Sequence, residues 1–220
     1  MPLVVFDLDG TLVDSRRDLV TSANDMLASF GAAPLQEDAI AGFVGDGAKM
    51  LVARSLKAAA VPPGDLHVAL ERFLEIYNAR LLETTRPYEG IPELIDDAMD
   101  LGVRLGVITN KPETPTLEIL NAFELAQSFG WIIGGDGKFP RKPDPASLNW
   151  MIADAGADPA RTLYIGDSQI DTDTARAAGT QFCLANYGFG QVRGTIELRP
   201  GEFSADSARD VLPAIEGLFR

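Results

Sequence analysis

The sequence predicts an α/β fold: a Rossmann-like, doubly wound parallel sheet with an inserted all-helical segment. Three observations carry that prediction. Short β-rich runs alternate with helical patterns after residue 88, as βαβ units do. Residues 16–85 show helical spacing and no strand-like run. Polar groups rich in carboxylates stand where predicted elements meet their loops, and a doubly wound sheet gathers such groups at one edge.

The elements follow in order. Residues 2–8 (PLVVFDL) form a short apolar run without helical spacing, which predicts a buried strand. A turn at Asp9-Gly10-Thr11 ends it. Leu19, Ala23, Met26, Leu27 and Phe30 recur at helical intervals, with Ser15 as N-cap and Gly31 as the stop. Further helices are predicted over residues 36–42, 48–60 and 66–83. The glycine-rich stretch 42–47 (GFVGDG) turns between the first two, and Pro62-Pro63-Gly64 breaks the last two apart. At residues 88–92 (YEGIP) the rhythm changes. Helices over 93–100, 115–123, 144–155, 170–178 and 208–219 then alternate with strands over 104–109, 131–134, 162–165 and 181–185. The expected organisation is a sheet core of residues 1–15 and 86–220. A helical segment over 16–85 interrupts it and roofs the end of the first strand.

Composition excludes several functions. Of 220 residues, 46% are hydrophobic, enough for a sizeable core. A net charge of −13 without a clustered Lys/Arg stripe argues against nucleic acid and anionic membrane surfaces as partners. No apolar run approaches the length of a membrane span. The one cysteine, Cys183, allows no internal disulfide and sits in an apolar run (TQFCLA), as a core residue would. With one histidine, His67, in a polar helical stretch, a zinc site built from His and Cys is excluded. The first residues lack the basic start and cleavage site of a signal peptide, so the expected location is cytoplasmic.

Chemistry concentrates in four groups: Asp7-Leu8-Asp9-Gly10-Thr11, Thr109-Asn110-Lys111, Lys142-Pro143-Asp144-Pro145, and Gly166-Asp167-Ser168 with Asp171. Asp7, Asp9 and Asp167 are expected to converge, and three converging anions need a cation among them. An oxygen-only donor set suits Mg²⁺. Asp7 and Asp9 are two residues apart, so in extended backbone both carboxylates face one side. One can attack a substrate while the other handles a proton, and carboxylate nucleophiles form aspartyl-phosphates. Gly10 permits close backbone approach, and Thr11 offers a hydroxyl to a substrate or to a turn. Thr109 and the N–H after it are placed to hold a phosphoryl oxygen, and Lys142 to neutralise it. Asp171, four residues past Asp167, is placed to orient Lys142 or a metal-bound water. Asp173 reads as an exposed charge at a helix start.

The set DLDGT (7–11), ITN (108–110), RKPDP (141–145) and GDSxxD (166–171) resembles the haloacid dehalogenase superfamily of phosphatases over essentially the whole chain. The resemblance implies Asp7 as nucleophile and Mg²⁺ ligand, and Asp9 as general acid/base that also ligates the metal through its backbone carbonyl. It implies that Thr109 binds the phosphoryl group, Lys142 stabilises it, Asp167 is the third metal ligand and Asp171 supports it. Segment 16–85 is similar to the family's helical C1 cap. Stretches 44–56, 134–145, 186–190 (NYGFG) and 204–206 resemble the phosphoglycolate phosphatase branch. The implied function is Mg²⁺-dependent hydrolysis of a small-molecule phosphate ester, 2-phosphoglycolate first, by a monomer or homodimer. Related enzymes acting on N-acetylmuramic acid 6-phosphate or pyrophosphate carry close variants of these motifs. Gly10, Thr11, Asn110 and Lys49 are the expected substrate contacts, with Arg54 a second cation of the helical segment. Thr172 stands where the family usually has an apolar residue. A phosphosugar mutase more often carries an aliphatic residue in place of Thr11, and a dehalogenase needs neither metal nor Asp9. A non-catalytic binding protein would have lost one chemical residue, and none is lost.

Overall fold

The computed structural model describes residues 1–219 apart from Pro63 and Asp65, and leaves aside the side chains of Gln191 and Arg193. Of the breaker Pro62-Pro63-Gly64, Pro63 therefore lies outside the described residues. The chain begins with β1 (Leu3–Phe6), four buried residues, and passes through Gly10 into β2 (Val13–Asp14). Four helices follow: α1 (Arg16–Ser29), α2 (Glu37–Ala41), α3 (Ala48–Ala58) and α4 (Leu66–Ala79). β3 (Arg86–Pro87) returns the chain and pairs antiparallel with β2. Then come α5 (Ile91–Asp100), β4 (Arg104–Ile108), α6 (Glu113–Ala122), β5 (Trp131–Ile133) and α7 (Ala146–Asp154). β6 (Thr162–Gly166), α8 (Gln169–Ala178), β7 (Gln181–Ala185), β8 (Phe203–Ala205) and α9 (Leu212–Gly217) complete it.

Six strands form one parallel sheet in the order β5-β4-β1-β6-β7-β8. The chain builds outward from β1 through β4 to β5, then crosses back to β6 on the other side of β1. That reversal makes the carboxyl end of β1 the switch point of the sheet, where a crevice opens. Alternating side chains feed two cores. Val4, Phe6, Leu105, Val107, Leu163 and Ile165 face one, and Leu3, Val5, Tyr164, Phe182 and Leu184 face the other.

The helical segment is held by its own apolar faces. Leu19, Ala23, Met26 and Leu27 of α1 are buried. α4 buries Ala69, Phe73 and Tyr77 at four-residue spacing, and the last two rings stack at 5.7 Å. Asp18, near the start of α1, ties the segment to its exit. Its carboxylate accepts from Thr84 N–H (3.0 Å to each oxygen), Thr84 Oγ (2.5 Å), Thr85 N–H (2.8 Å) and Thr85 Oγ (2.7 Å).

Several details differ from the sequence expectation. Ser15 does precede α1, but its hydroxyl donates to Asp9 Oδ1 at 2.6 Å instead of capping the helix. β2, β3 and β8 were not expected; two or three residues carry no readable period. The last predicted helix is a 3₁₀ turn over Ala208–Val211 running into α9. Cys183 is a buried residue of β7, and burial pushes its thiol up to about 12. His67 is exposed beside Glu71. Thr172 is buried, and its hydroxyl is satisfied by Ser168 O at 3.1 Å. Among the described residues no helix is long and apolar enough to cross a membrane.

Burial alone would raise the Asp18 carboxyl, but the hydrogen bonds from Thr84 and Thr85 outweigh it and hold it below its ordinary value. Its contribution is therefore present above the unfolded pKa and lost as pH falls through the lower folded one. Asp18→Ala is expected to cost about 2–4 kcal/mol at pH 7, because it strands buried donors. Urea unfolding should show that gap narrowing in acid.

Candidate active site

The backbone delivers the four polar groups to one place. Asp7 continues the line of β1, its N–H bonded to Ile165 O at 2.9 Å. Thr109 does the same for β4, through Ile133 O at 3.0 Å. Asp167 directly follows β6, and Ser168 caps α8 through a reciprocal capping box with Asp171.

Lys142 is the centre of the group. Its ammonium donates to Asp171 Oδ1 at 2.6 Å and Tyr164 Oη at 3.1 Å. It stands 2.8 Å from Asp7 Oδ1, an ion pair outside hydrogen-bond angle, so that buried oxygen has no hydrogen-bond donor among the described residues. Asp171 Oδ2 is taken by Ser168 N–H (3.1 Å) and Oγ (2.5 Å). Asp167 Oδ2 accepts from Phe189 N–H (3.1 Å) and Gly190 N–H (2.7 Å).

Carboxylate oxygens of Asp7, Asp167 and Asp171 lie within 4.8 Å of one another. The tightest group thus adds Asp171 to Asp7 and Asp167, while Asp9, expected to converge with those two, lines the same cleft with its carboxylate outside that group. The strand ends at Phe6, and Asp9 sits in the turn, bridged to Val13. There Ser15 Oγ and the Lys111 ammonium, 3.0 Å from each oxygen, draw its carboxylate aside. Asp7 and Asp9 nevertheless line one cleft, together with Thr109 and Asp167.

Of the four expected substrate contacts, Asn110 alone lines the cleft. Gly10 does not line the cleft; at φ +90° its missing side chain lets Asp167 close in, since a Cβ would stand 1.9 Å from Asp167 Oδ2. Thr11 is fully buried in the turn; its N–H donates to Leu8 O (3.2 Å), its carbonyl accepts from Tyr187 Oη (3.1 Å), and its hydroxyl has no hydrogen-bond partner among the described residues. Asn110 lines the cleft, but its side chain is spent. It donates to Gly45 O (2.8 Å) and Lys142 O (3.0 Å) and accepts from Lys142 N–H (2.9 Å). Lys49 is exposed and outside the cleft, because α3 turns Leu51, Val52 and Ser55 inward. Arg54 pairs with Asp46 and donates to Phe43 O (3.3 Å), which pins the glycine-rich turn.

Three residues were missed. Tyr164 is a buried strand residue whose hydroxyl also donates to Ile108 O (3.1 Å). Lys111 carried no assigned role, although its neighbours in Thr109-Asn110-Lys111 did. Tyr77 lies in a helix 34 residues before Lys111, yet its hydroxyl accepts from that ammonium at 2.5 Å. No local pattern could reveal such a pair.

The cleft opens to solvent between the sheet edge and the helical segment. Its floor is the polar edge of the sheet; its roof is Leu19, Leu51, Phe73, Leu74 and Tyr77.

Residues 4–185 match the family model of haloacid dehalogenase-like hydrolases. The chain belongs to that family. It is 38% identical over 218 residues to phosphoglycolate phosphatase 1 of Pseudomonas aeruginosa, covering 97% of this chain and 79% of that protein. A phosphoglycolate phosphatase of Agrobacterium fabrum is 37% identical over 201 residues, or 90% and 86% of the two chains. The crystal structure of a predicted phosphoglycolate phosphatase from Haemophilus somnus superposes with a TM-score of 0.89 at 28% identity, covering 97% of each chain. The protein is a phosphatase of the haloacid dehalogenase family.

The donor set of this phosphatase fits a hard divalent cation. Asp7 Oδ1 is buried without a hydrogen-bond donor, and one ammonium faces three buried carboxylates. Burial pushes the Asp7 carboxyl up, Lys142 pulls it down, and Asp171 and Asp9 push it up again, leaving it at about 6. Burial, Asp171 and Asp7 likewise raise Asp167 well above the usual range.

The sign for Asp7 follows from linkage. Below its ordinary 3.8 the carboxyl is protonated in both states. Between 3.8 and about 6 the unfolded chain loses the proton first, so stability falls as pH rises. Above 6 the cost is complete, about 3 kcal/mol at 1.36 kcal/mol per pKa unit. Without divalent cations, Asp7→Asn should therefore be more stable than the parent at pH 7.5, by about 1–3 kcal/mol. The difference should vanish near pH 4. Equal urea midpoints at pH 7.5 would count against this balance of charges.

Proposed function

We propose that the enzyme hydrolyses a small phosphate monoester, 2-phosphoglycolate, to glycolate in a Mg²⁺-dependent reaction with Asp7 as nucleophile. The observation that carries this reading is Asp7 itself. It is buried at the switch point of the sheet, 2.8 Å from the Lys142 ammonium, and shares one cleft with a second carboxylate, Asp9. Residues 1–15 and 86–220 serve as the catalytic core and residues 16–85 as a helical cap over it. Relatives named phosphoglycolate phosphatase, such as that of Pseudomonas aeruginosa, support the choice of substrate.

Mg²⁺ would be held by the Asp7 and Asp167 carboxylates and the Asp9 backbone carbonyl, with Asp171 behind them. When bound, it would supply positive charge against the phosphoryl oxygens and the clustered carboxylates. An Asp7 oxygen attacks phosphorus and the ester P–O bond breaks. Asp9 gives its proton to the departing oxygen. Water then attacks the aspartyl-phosphate and yields its proton to Asp9; the bond from phosphorus to Asp7 breaks and inorganic phosphate leaves. The Thr109 hydroxyl accepts from Lys111 N–H (3.2 Å) and donates to none of the described residues, so its proton is available to a phosphoryl oxygen. Lys142 stays beside the reacting carboxylate throughout and limits the charge that builds there. The net charge of −13 and the single buried cysteine support a cytoplasmic enzyme without nucleic-acid or membrane partners. It would act as a monomer or homodimer.

A panel of phosphate esters with Mg²⁺ tests the substrate. 2-Phosphoglycolate is expected to exceed p-nitrophenyl phosphate in kcat/KM by about tenfold or more. A rate no better than the aryl ester's would sink the assignment. Asp7→Asn should lower kcat about 10⁴-fold or more while the circular dichroism spectrum is kept. Retained turnover would rule out the covalent route.

A further inference from the structure

The cleft has a cation that the chemistry at Asp7 leaves unused. Lys142 sits behind Asp7, so Lys111 is the one Lys or Arg lining the cleft among the described residues. Its side chain is 5% exposed and 3.0 Å from both oxygens of Asp9. Its third neighbour is the hydroxyl of Tyr77 in α4, at 2.5 Å. Its three N–H groups have three acceptors, the two Asp9 oxygens and the Tyr77 hydroxyl oxygen, so what it presents to a ligand is its positive charge. The Tyr77 O–H accepts from Lys111 and donates to none of the described residues, although the residue is only 3% exposed. A buried hydroxyl hydrogen without an acceptor and a buried ammonium thus stand side by side on the wall of the cleft. Leu19, Leu51, Phe73 and Leu74 on the same wall are apolar and offer an anion nothing.

We propose that Lys111 and Tyr77 form a carboxylate-binding subsite that selects esters whose leaving group carries an acid close to the ester oxygen. The proposal rests on the phosphatase reading above and names what that site prefers. In-line displacement puts the leaving oxygen opposite Asp7, on the side of the helical roof. Asp9 must stand about 3 Å from that oxygen to protonate it. Lys111 is 3.0 Å beyond the Asp9 oxygens. A carboxylate one carbon removed from the ester oxygen would reach the Tyr77 hydroxyl hydrogen and the Lys111 charge together, whereas an amide in its place offers an acceptor oxygen but no charge to offset the ammonium. A buried polar site of this kind discriminates strongly against an analogue that cannot pair with it.

The test compares 2-phosphoglycolate with its amide, 2-phosphoglycolamide, which has the same shape and no charge. The parent enzyme should favour the acid in kcat/KM by about tenfold or more. Lys111→Met removes a partner of Asp9 and will slow both esters, so the readout is the acid-to-amide ratio, expected to fall towards one. Tyr77→Phe keeps the packing and removes one donor, and should lower the ratio about threefold or more. This holds the test open if Lys111→Met does not fold. Equal rates on acid and amide in the parent would overturn the subsite while leaving the phosphatase reading intact. A ratio unchanged in either variant would overturn its assignment to these residues. No turnover of any ester would overturn both readings together.

Discussion

The Lys142 ammonium, wedged between Asp7 and Asp171, is the constraint on which the site depends. A buried charge must be paired, and the pairing is expensive to break from one side. The surroundings hold the ammonium from several directions. Tyr164 presents its phenol oxygen, Asp171 is fixed by the capping box of α8, and Asn110 grips the Lys142 backbone through both N–H and C=O. Even so, one positive charge does not balance three carboxylates. At Asp7 desolvation outweighs the attraction of Lys142, which is why its carboxyl settles near 6 and not below its ordinary 3.8. The site therefore carries a standing excess of negative charge that a divalent cation would relieve.

The fold supplies the close approach that this crowding requires. Asp167 reaches the cluster because glycines clear its path. A Cβ on Gly188 would lie 2.2 Å from Gly10 O, and one on Gly190 would lie 2.5 Å from Asp167 O. The same economy joins the helical segment to the sheet. Asn110 ties the glycine-rich turn at Gly45 to the loop of Lys142, while Asp18 anchors α1 to the exit at Thr84 and Thr85. Roof and floor of the cleft are thus tied together by side-chain hydrogen bonds to backbone groups.

Most of the architecture was legible in the sequence because it rests on local periodicity. β1, β4, β6 and β7 were readable as apolar runs, and the long helices as repeating faces. β8 was not, since Phe-Ser-Ala is three residues with one buried side chain. At the site, strand-end placement pointed to Asp7, Thr109 and Asp167 and a place before a helix pointed to Lys142, and the fold brings these residues to one edge of the sheet. It misjudged residues whose role depends on distant partners. Gly10 reads as a substrate contact until Asp167, far along the chain, is seen against it. Asn110 reads as a ligand donor until Lys142 and Gly45 consume its amide. The Asp9 carboxylate was expected among the metal-facing anions, but Lys111, 102 residues away, holds it elsewhere.

A strongly acidic chain acting on an anion is less paradoxical than its net charge suggests. Exposed carboxylates are screened over about 8–10 Å at ordinary ionic strength, so most of the −13 is barely felt inside the cleft. The charges that matter there are few, buried and fixed. Lys142 faces Asp7 and Lys111 faces the cleft, each in a setting where solvent screens little. With an apolar roof supplying shape and these two ammonium groups supplying sign, discrimination between esters is a matter of short-range fit. The long-range field of the molecule bears on how often an ester arrives, and under the proposed subsite the buried cations bear on which one reacts.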